Sequence, residues 1–412
     1  MTSRRAPWRV EDRRAELVQH VPRSRAMRRS LKVGIMMRAM DKAGGFHAMT
    51  YALTREMLDL APDIDFLLFY QNRRWLGAFA SYPNAREILL NTRSKFLWDQ
   101  MAVSYAAFAH GVDVLFNTQF FTPFLSHCPT TMGLQEPAWW THPDEYSLAT
   151  RIYQKIALPL SIRKCAHVFP NSTFVLQENR KVLGLPIEHA TVAYSAADER
   201  FQPLTDVKTL EAFRARYRLP QNFILVVTRV VHGGQEDDGP LFPGKNPEVA
   251  FRAFRRIRDE IDYDLVFAGY RVKEYLEHWE GKDACFDRVH FVGQVPFEEL
   301  HLLFNSAGIV VNPCVYEGCP NTVLQAMACG RPVIVASSGG SADVAAGAAL
   351  MASPMDDEHL AKQLCRVAND PALQSRMVAA SLNRSRQFSW RKTAEGILNV
   401  LVDLGSRKLA AR

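Results

Sequence analysis

The stretch "GIVVNPCVYEGCPNTVLQAMACGRPVIVAS" (residues 308–337) holds one complete unit of the fold. A short apolar run, "GIVV", leads into a loop with a lone acid, Glu317. Pro320 or Asn321 then opens an apolar helical run. Gly330 stands where helices commonly end on a left-handed residue. A second apolar run, "PVIVAS", follows at once. Short, nearly continuous apolar strands separated by helices are what a parallel sheet covered on both faces requires.

The same alternation fills the chain. "LKVGIMM" (31–37), "DFLLFY" (65–70), "VDVLFNT" (112–118), "TTMGLQ" (130–135), "HVFPNS" (167–172) and "ATVAYS" (190–195) read as strands, with helical patterns between most of them. After Phe201-Gln202-Pro203 the pattern restarts. "NFILVVTRV" (222–230), "DLVFAGY" (264–270) and "VHFVGQV" (289–295) lead into the two runs of the opening stretch. Two successive sets predict an α/β protein of two doubly wound domains. The expected division is a basic arm over 1–30, one domain over 31–204, a second over 205–385, and a C-terminal helix over 386–412. That helix, anchored by Phe388-Ser389-Trp390, is expected to run back onto the first domain. A length of 412 residues suits two cores better than one.

The net charge of +7 is concentrated rather than spread. Residues 1–30 carry nine arginines against Glu11, Asp12 and Glu16, a net +6. The near-neutral remainder argues against nucleic acid as a partner. The arm reads either as a solvated tail or as a contact for an anionic membrane surface. It lacks the apolar core of a signal peptide, and no apolar run is long enough to span a bilayer. Seven scattered cysteines, with no C-x-x-C pair, read as reduced thiols of a cytoplasmic protein.

In open α/β sheets ligands bind beyond the carboxyl ends of the strands. After the first strand come Gly44 and Gly45, either an ordinary turn or a close approach of backbone to an anion. After the first strand of the second set come Arg229 and, past an insertion, Lys245, just before a helix. They read either as solvated cations or as a fork and a point charge holding a diphosphate. Glu317 sits beside the N–H groups near 320–323, where a carboxylate can accept sugar hydroxyls or simply complement the helix dipole. Asp63-Ile64-Asp65 and Asp262-Tyr263-Asp264 spell D-x-D, but each precedes its strand. They read as polar strand starts, and no metal site is expected. The acidic run Gln235–Asp238 reads as a loop.

With these residues in view, the sequence resembles the family-4 retaining glycosyltransferases of the GT-B fold. The resemblance covers roughly 31–405 and is densest over 289–344. "HPDEYSLATRIYQKIALPLSIRKCAHVFPNSTF", "AYSAADERF", "GKNPE" and "QFSW" support it. It implies two Rossmann-like domains facing across a cleft that binds a UDP- or GDP-sugar as co-substrate, with no other cofactor. Arg229 and Lys245 then hold the diphosphate and stabilise the leaving group without a metal. Glu317 takes the donor sugar. The amides of Asn321, Thr322 and Val323 line sugar and phosphate, Gly45 lets the first domain approach, and Val295 meets the base. Two positions depart from the family pattern. Gln325 stands where a second Glu grips the ribose, and Gln135-Glu136 stands where a His-Asp pair is common. The implied function is retaining transfer of a hexose to a saccharide or glycolipid acceptor in cell-surface polysaccharide or glycolipid synthesis. The implied location is the cytoplasm, peripheral on the inner membrane face. The two departures keep a nucleotide-sugar-binding scaffold open as a rival, and a GT-B nucleotide-sugar epimerase is the other.

Overall fold

The computed structural model describes residues 30–41, 45–92, 94–141, 143, 148–184, 186–230, 243–281 and 284–411. The basic arm up to residue 29, Gly44 and the acidic run Gln235–Asp238 lie outside the described residues.

Two six-stranded parallel sheets organise the chain. The first contains β1 (Lys32–Met36), β2 (Asp65–Tyr70), β3 (Ala85–Leu89), β4 (Val114–Asn117), β5 (Thr130–Leu134) and β6 (His167–Pro170), in the order 3-2-1-4-5-6. The second contains β7 (Phe223–Val227), β8 (Asp264–Ala268), β9 (Val289–Gly293), β10 (Ile309–Asn312), β11 (Val333–Ala336) and β12 (Leu350–Ala352), in the order 12-11-10-7-8-9. Each is the doubly wound order, so each sheet reverses winding at one point: between β1 and β4, and between β7 and β10. The central strands read as apolar because helices cover both faces. Ile224, Leu225, Val310 and Ile334 are all fully or almost fully buried.

Three strand readings differ from the structure. β3 and β12 are additional strands at the sheet edges, short and only partly buried, so neither shows a strong apolar run. "ATVAYS" is not a strand. It runs beside β6, with Thr191 N–H donating to Val168 O (3.2 Å) and Ala193 N–H to Pro170 O (2.8 Å), and only Ala190 forms a bridge.

The helix Asn321–Ala328 follows the opening stretch closely. Gly330 is left-handed (φ 66°), its N–H reaches Met327 O, and Arg331 N–H reaches Ala326 O. These two bonds are the Schellman closure of a helix end. The last helix, Trp390–Ala410, packs Ala394, Ile397, Leu398 and Leu401 into the core beneath the first sheet, beside Val33 and Val114. Lys408 Nζ donates to Val112 O (3.2 Å).

Candidate functional site

A cleft of about 330 Å³ opens at the carboxyl ends of the second sheet. Its walls come from the residues after β7 (Thr228, Arg229), β8 (Gly269, Tyr270), β9 (Gln294, Val295) and β10 (Pro313, Cys314, Glu317). Gly45 closes it from the first sheet. The winding reversal between β7 and β10 produces this opening, because the connections there diverge to opposite faces.

Lys245 reaches the cleft from the turn Pro243–Lys245. Its Nζ lies 3.0 Å from Glu317 Oε1, with both side chains about a quarter exposed. Burial pulls the ammonium pKa down, but Cys314, Glu317 and Glu136 together hold it above its ordinary value. Burial also pushes the Cys314 thiol up to about 12. At neutral pH the thiol is therefore uncharged, and the attraction comes chiefly from Glu317, which Lys245 touches. The turn is pinned by Val315 N–H on Gly244 O (3.0 Å) and Asn246 Nδ2 on Pro313 O (3.1 Å). Asn312 ends β10. Its Nδ2 donates to Thr322 Oγ1 (2.9 Å) and its Oδ1 accepts from Cys314 N (3.1 Å), fixing the loop to the helix start. Thr228 Oγ1 and Asn321 Oδ1 are buried without a hydrogen-bond partner. Such orphaned polar atoms at a cleft suit a polar ligand.

The two sheets meet at the same loop. A Cβ on Gly45 would stand 2.7 Å from Asn321 Nδ2, so a larger residue there would push the Asn321 amide aside. A Cβ on Gly318 would stand 2.3 Å from Glu136 Oε2 and 2.8 Å from Val175 Cγ2. Ser172 Oγ donates to Gly318 O (2.7 Å). Asp343 accepts from Phe174 N (3.1 Å) and from Tyr194 OH (3.0 Å). Burial, with Glu317 adding to it, raises the Glu136 carboxyl to about 7.

Of the residues singled out in the sequence, Arg229, Lys245, Glu317, Gly45, Val295 and Thr322 line this one cleft. Asn321 lies against Gly45. Val323 is fully buried and its N–H is taken by Pro320 O (3.2 Å). Gln325 is buried on the same helix, and Gln135 is buried just after β5; neither is among the residues lining the cleft. Asn312, Thr228 and Asp343 join the site only through the tertiary structure. Asn312 had a signal, a polar residue closing an apolar strand, whereas Asp343 had none until the sheets were brought together. The second D-x-D pair, Asp262 and Asp264, is held in structural contacts. Asp264, at the opposite end of β8, accepts from Arg288 Nε (2.9 Å) and lies 2.7 Å from His290 Nε2. Asp262 accepts from Asn222 Nδ2 (3.2 Å).

Two doubly wound sheets with a ligand-sized cleft at their strand ends define the GT-B class of α/β proteins. Solved structures of that class align along the chain. A glycosyltransferase from Rickettsia africae superposes with TM-score 0.70 at 14% identity, over 92% of this chain and 99% of its own. HepE of Anabaena, crystallised with UDP-glucose, gives 0.68 at 15%, over 91% and 100%. Residues 239–370 match the family described as glycosyl transferases group 1. The O-antigen chain mannosyltransferase B of Escherichia coli is 24% identical over 261 residues, 62% of this chain and 65% of its own length. An uncharacterized glycosyltransferase of Methanocaldococcus jannaschii is 31% identical over 183 residues, 41% and 46% of the two lengths. The chain thus matches less than two thirds of the length of these relatives. The resemblance to the group 1 glycosyl transferases lies in residues 239–370, which include most of the second sheet.

Proposed function

We propose that this protein transfers a hexose from a nucleotide-diphosphate sugar to an acceptor hydroxyl with retention, in cell-surface polysaccharide or glycolipid synthesis. The observation that carries this reading is the convergence of Arg229, Lys245, Glu317, Gly45 and Thr322 on one cleft. Breaking the sugar–phosphate bond leaves negative charge on the diphosphate. Arg229 and Lys245 neutralise it in place of a metal, as preorganised charges that need no rearrangement as the bond breaks. Glu317, steadied by Lys245, accepts hydrogen bonds from donor-sugar hydroxyls. The acceptor oxygen attacks the face that the diphosphate leaves, and its proton passes to the departing phosphate oxygen. No enzymic nucleophile is invoked. Val295 backs the nucleotide base.

The relatives support a hexosyl reaction, since one is named for adding mannose to O-antigen and HepE was crystallised with UDP-glucose. Among the described residues no helix is long and apolar enough to cross a membrane. The nine arginines of residues 1–30 fit an anionic membrane surface.

The test is release of UDP or GDP from a panel of UDP- and GDP-hexoses in the presence of saccharide or glycolipid acceptors. Nucleotide release that depends on the acceptor supports the reading. Full transfer activity in Glu317→Ala would falsify the site. Binding without turnover of any donor overturns the enzyme in favour of a nucleotide-sugar-binding scaffold.

A further inference from the structure

Two helical segments cover one face of the first sheet: residues 95–109 and Leu148–Lys164. Their inner sides bury Trp98, Val103, Ala107 and Leu158. Their outer sides are also apolar. On the longer helix Leu148, Ile152, Ile156 and Leu160 repeat every fourth residue, and all four are exposed. On the other, Met101, Tyr105 and Phe108 are 64%, 74% and 67% exposed. Spacings of three and four residues put each set on one side of its helix.

The two stripes belong to one surface, because the loop between them is tied to both helices. Gln100 Nε2 donates to Thr122 O (3.3 Å), and Gln100 Oε1 accepts from Phe124 N (2.8 Å). On the other side, Lys164 Nζ donates to Phe124 O (3.4 Å), and the rings of Phe121 and Tyr153 lie 5.2 Å apart. At the loop's tip Leu125 is 84% exposed.

The charge on this surface has one sign. Across 95–109, 120–128 and 148–164 the single acidic residue is Asp99. It is fully buried and paired with Arg38 at 3.1 Å. Lys155, Arg163 and Lys164 are exposed. Contiguous exposed apolar surface of this kind marks an interaction site. An apolar stripe flanked by Lys and Arg, with no exposed acid among these described segments, is the composition that settles into an anionic lipid interface.

We propose that this face of the first sheet docks on an anionic membrane, with Met101, Tyr105, Leu125 and Ile156 entering the headgroup region and Lys155, Arg163 and Lys164 meeting lipid phosphates. The inference is independent of the donor cleft. It also differs from any contribution of the basic arm, which carries charge without a comparable apolar stripe.

The experiment uses the full chain, so the arm is constant in every sample. Wild type and the double variant Tyr105→Ser, Ile156→Ser are sedimented with vesicles of equal parts phosphatidylglycerol and phosphatidylcholine, and with phosphatidylcholine alone. Wild type is expected to bind the mixed vesicles and not the neutral ones. The double variant, melting at the wild-type temperature because both side chains are exposed, is expected to bind roughly tenfold to hundredfold more weakly. Equal binding by the two proteins overturns the proposal and leaves the arm as the membrane contact. A second readout is the emission of Tyr105→Trp with the wild-type spectrum subtracted. A blue shift on the mixed vesicles supports insertion of this face. No shift, or a vesicle-free dimer in the ultracentrifuge that the double variant abolishes, overturns it in favour of a protein partner or a second copy.

Discussion

The Lys245 ammonium and the Glu317 carboxylate stand 3.0 Å apart across the cleft, although 72 residues separate them in sequence. Each orients the other, and neither is fully exposed. Under the proposed function, a diphosphate would meet a cation already fixed in place.

Removing either partner should damage turnover more than folding. Lys245→Ala is expected to lower nucleotide release by about 10²-fold or more, the scale seen when a charge-stabilising donor is lost. The double change of Lys245 and Glu317 to Ala should cost less than the product of the single losses, because each single variant leaves the other charge unpaired. Initial rates for the four proteins decide this. A strictly multiplicative loss means that the pair does not act as a unit.

Glu136 makes stability depend on pH. Burial, with Glu317 beside it, raises its carboxyl from 4.5 to about 7. The folded state thus holds the proton more tightly than the unfolded chain. The contribution of the protonated acid is fully present below about pH 4.5 and is lost as pH rises through about 7. Glu136→Gln, which keeps the shape without the charge, should gain on wild type by on the order of 1–3 kcal/mol between those limits. Melting temperatures of both proteins across that range test it; parallel curves would contradict the assignment.

Gly318 is required by contact rather than by backbone angle. Gly318→Ala puts a methyl 2.3 Å from Glu136 Oε2 and 2.8 Å from Val175 Cγ2. The expected cost is about 1–3 kcal/mol, the usual range for overpacking, read as a lowered denaturation midpoint. The Gly318→Ala, Glu136→Ala double variant should recover part of it by removing the carboxylate.

Asp264 lies at the start of β8, away from the cleft at the strands' carboxyl ends. Asp264→Asn weakens the contacts with Arg288 and His290 at the start of β8. Stability should fall by about 1–2 kcal/mol, while kcat and KM for the donor stay at wild-type values. A large fall in kcat, restored by added divalent cation, would reinstate D-x-D as a metal site.

The strand–loop–helix–strand unit at 308–337 and its repetition were legible because apolar periodicity is local, and a buried parallel strand has to be apolar whatever its neighbours are. Arg229, Lys245 and Glu317 were legible for the same reason, since a strand end can be located without knowing what faces it. The edge strands β3 and β12 were not, because a strand with one neighbour and partial exposure carries little apolar signal. "ATVAYS" has the composition of a strand, yet only Ala190 bridges to β6 before the chain leaves for the second sheet.

What the sequence by itself determined is therefore the class of fold, two rounds of parallel α/β winding, and the charged groups at the strand ends. Tertiary structure alone decided which of those groups meet. Contact between Lys245 and Glu317, the pressing of Glu136 against Gly318, and the merging of two helix stripes into one apolar face each join segments far apart in the chain. Such pairings depend on the register and packing of whole sheets, and no short window of sequence contains both partners.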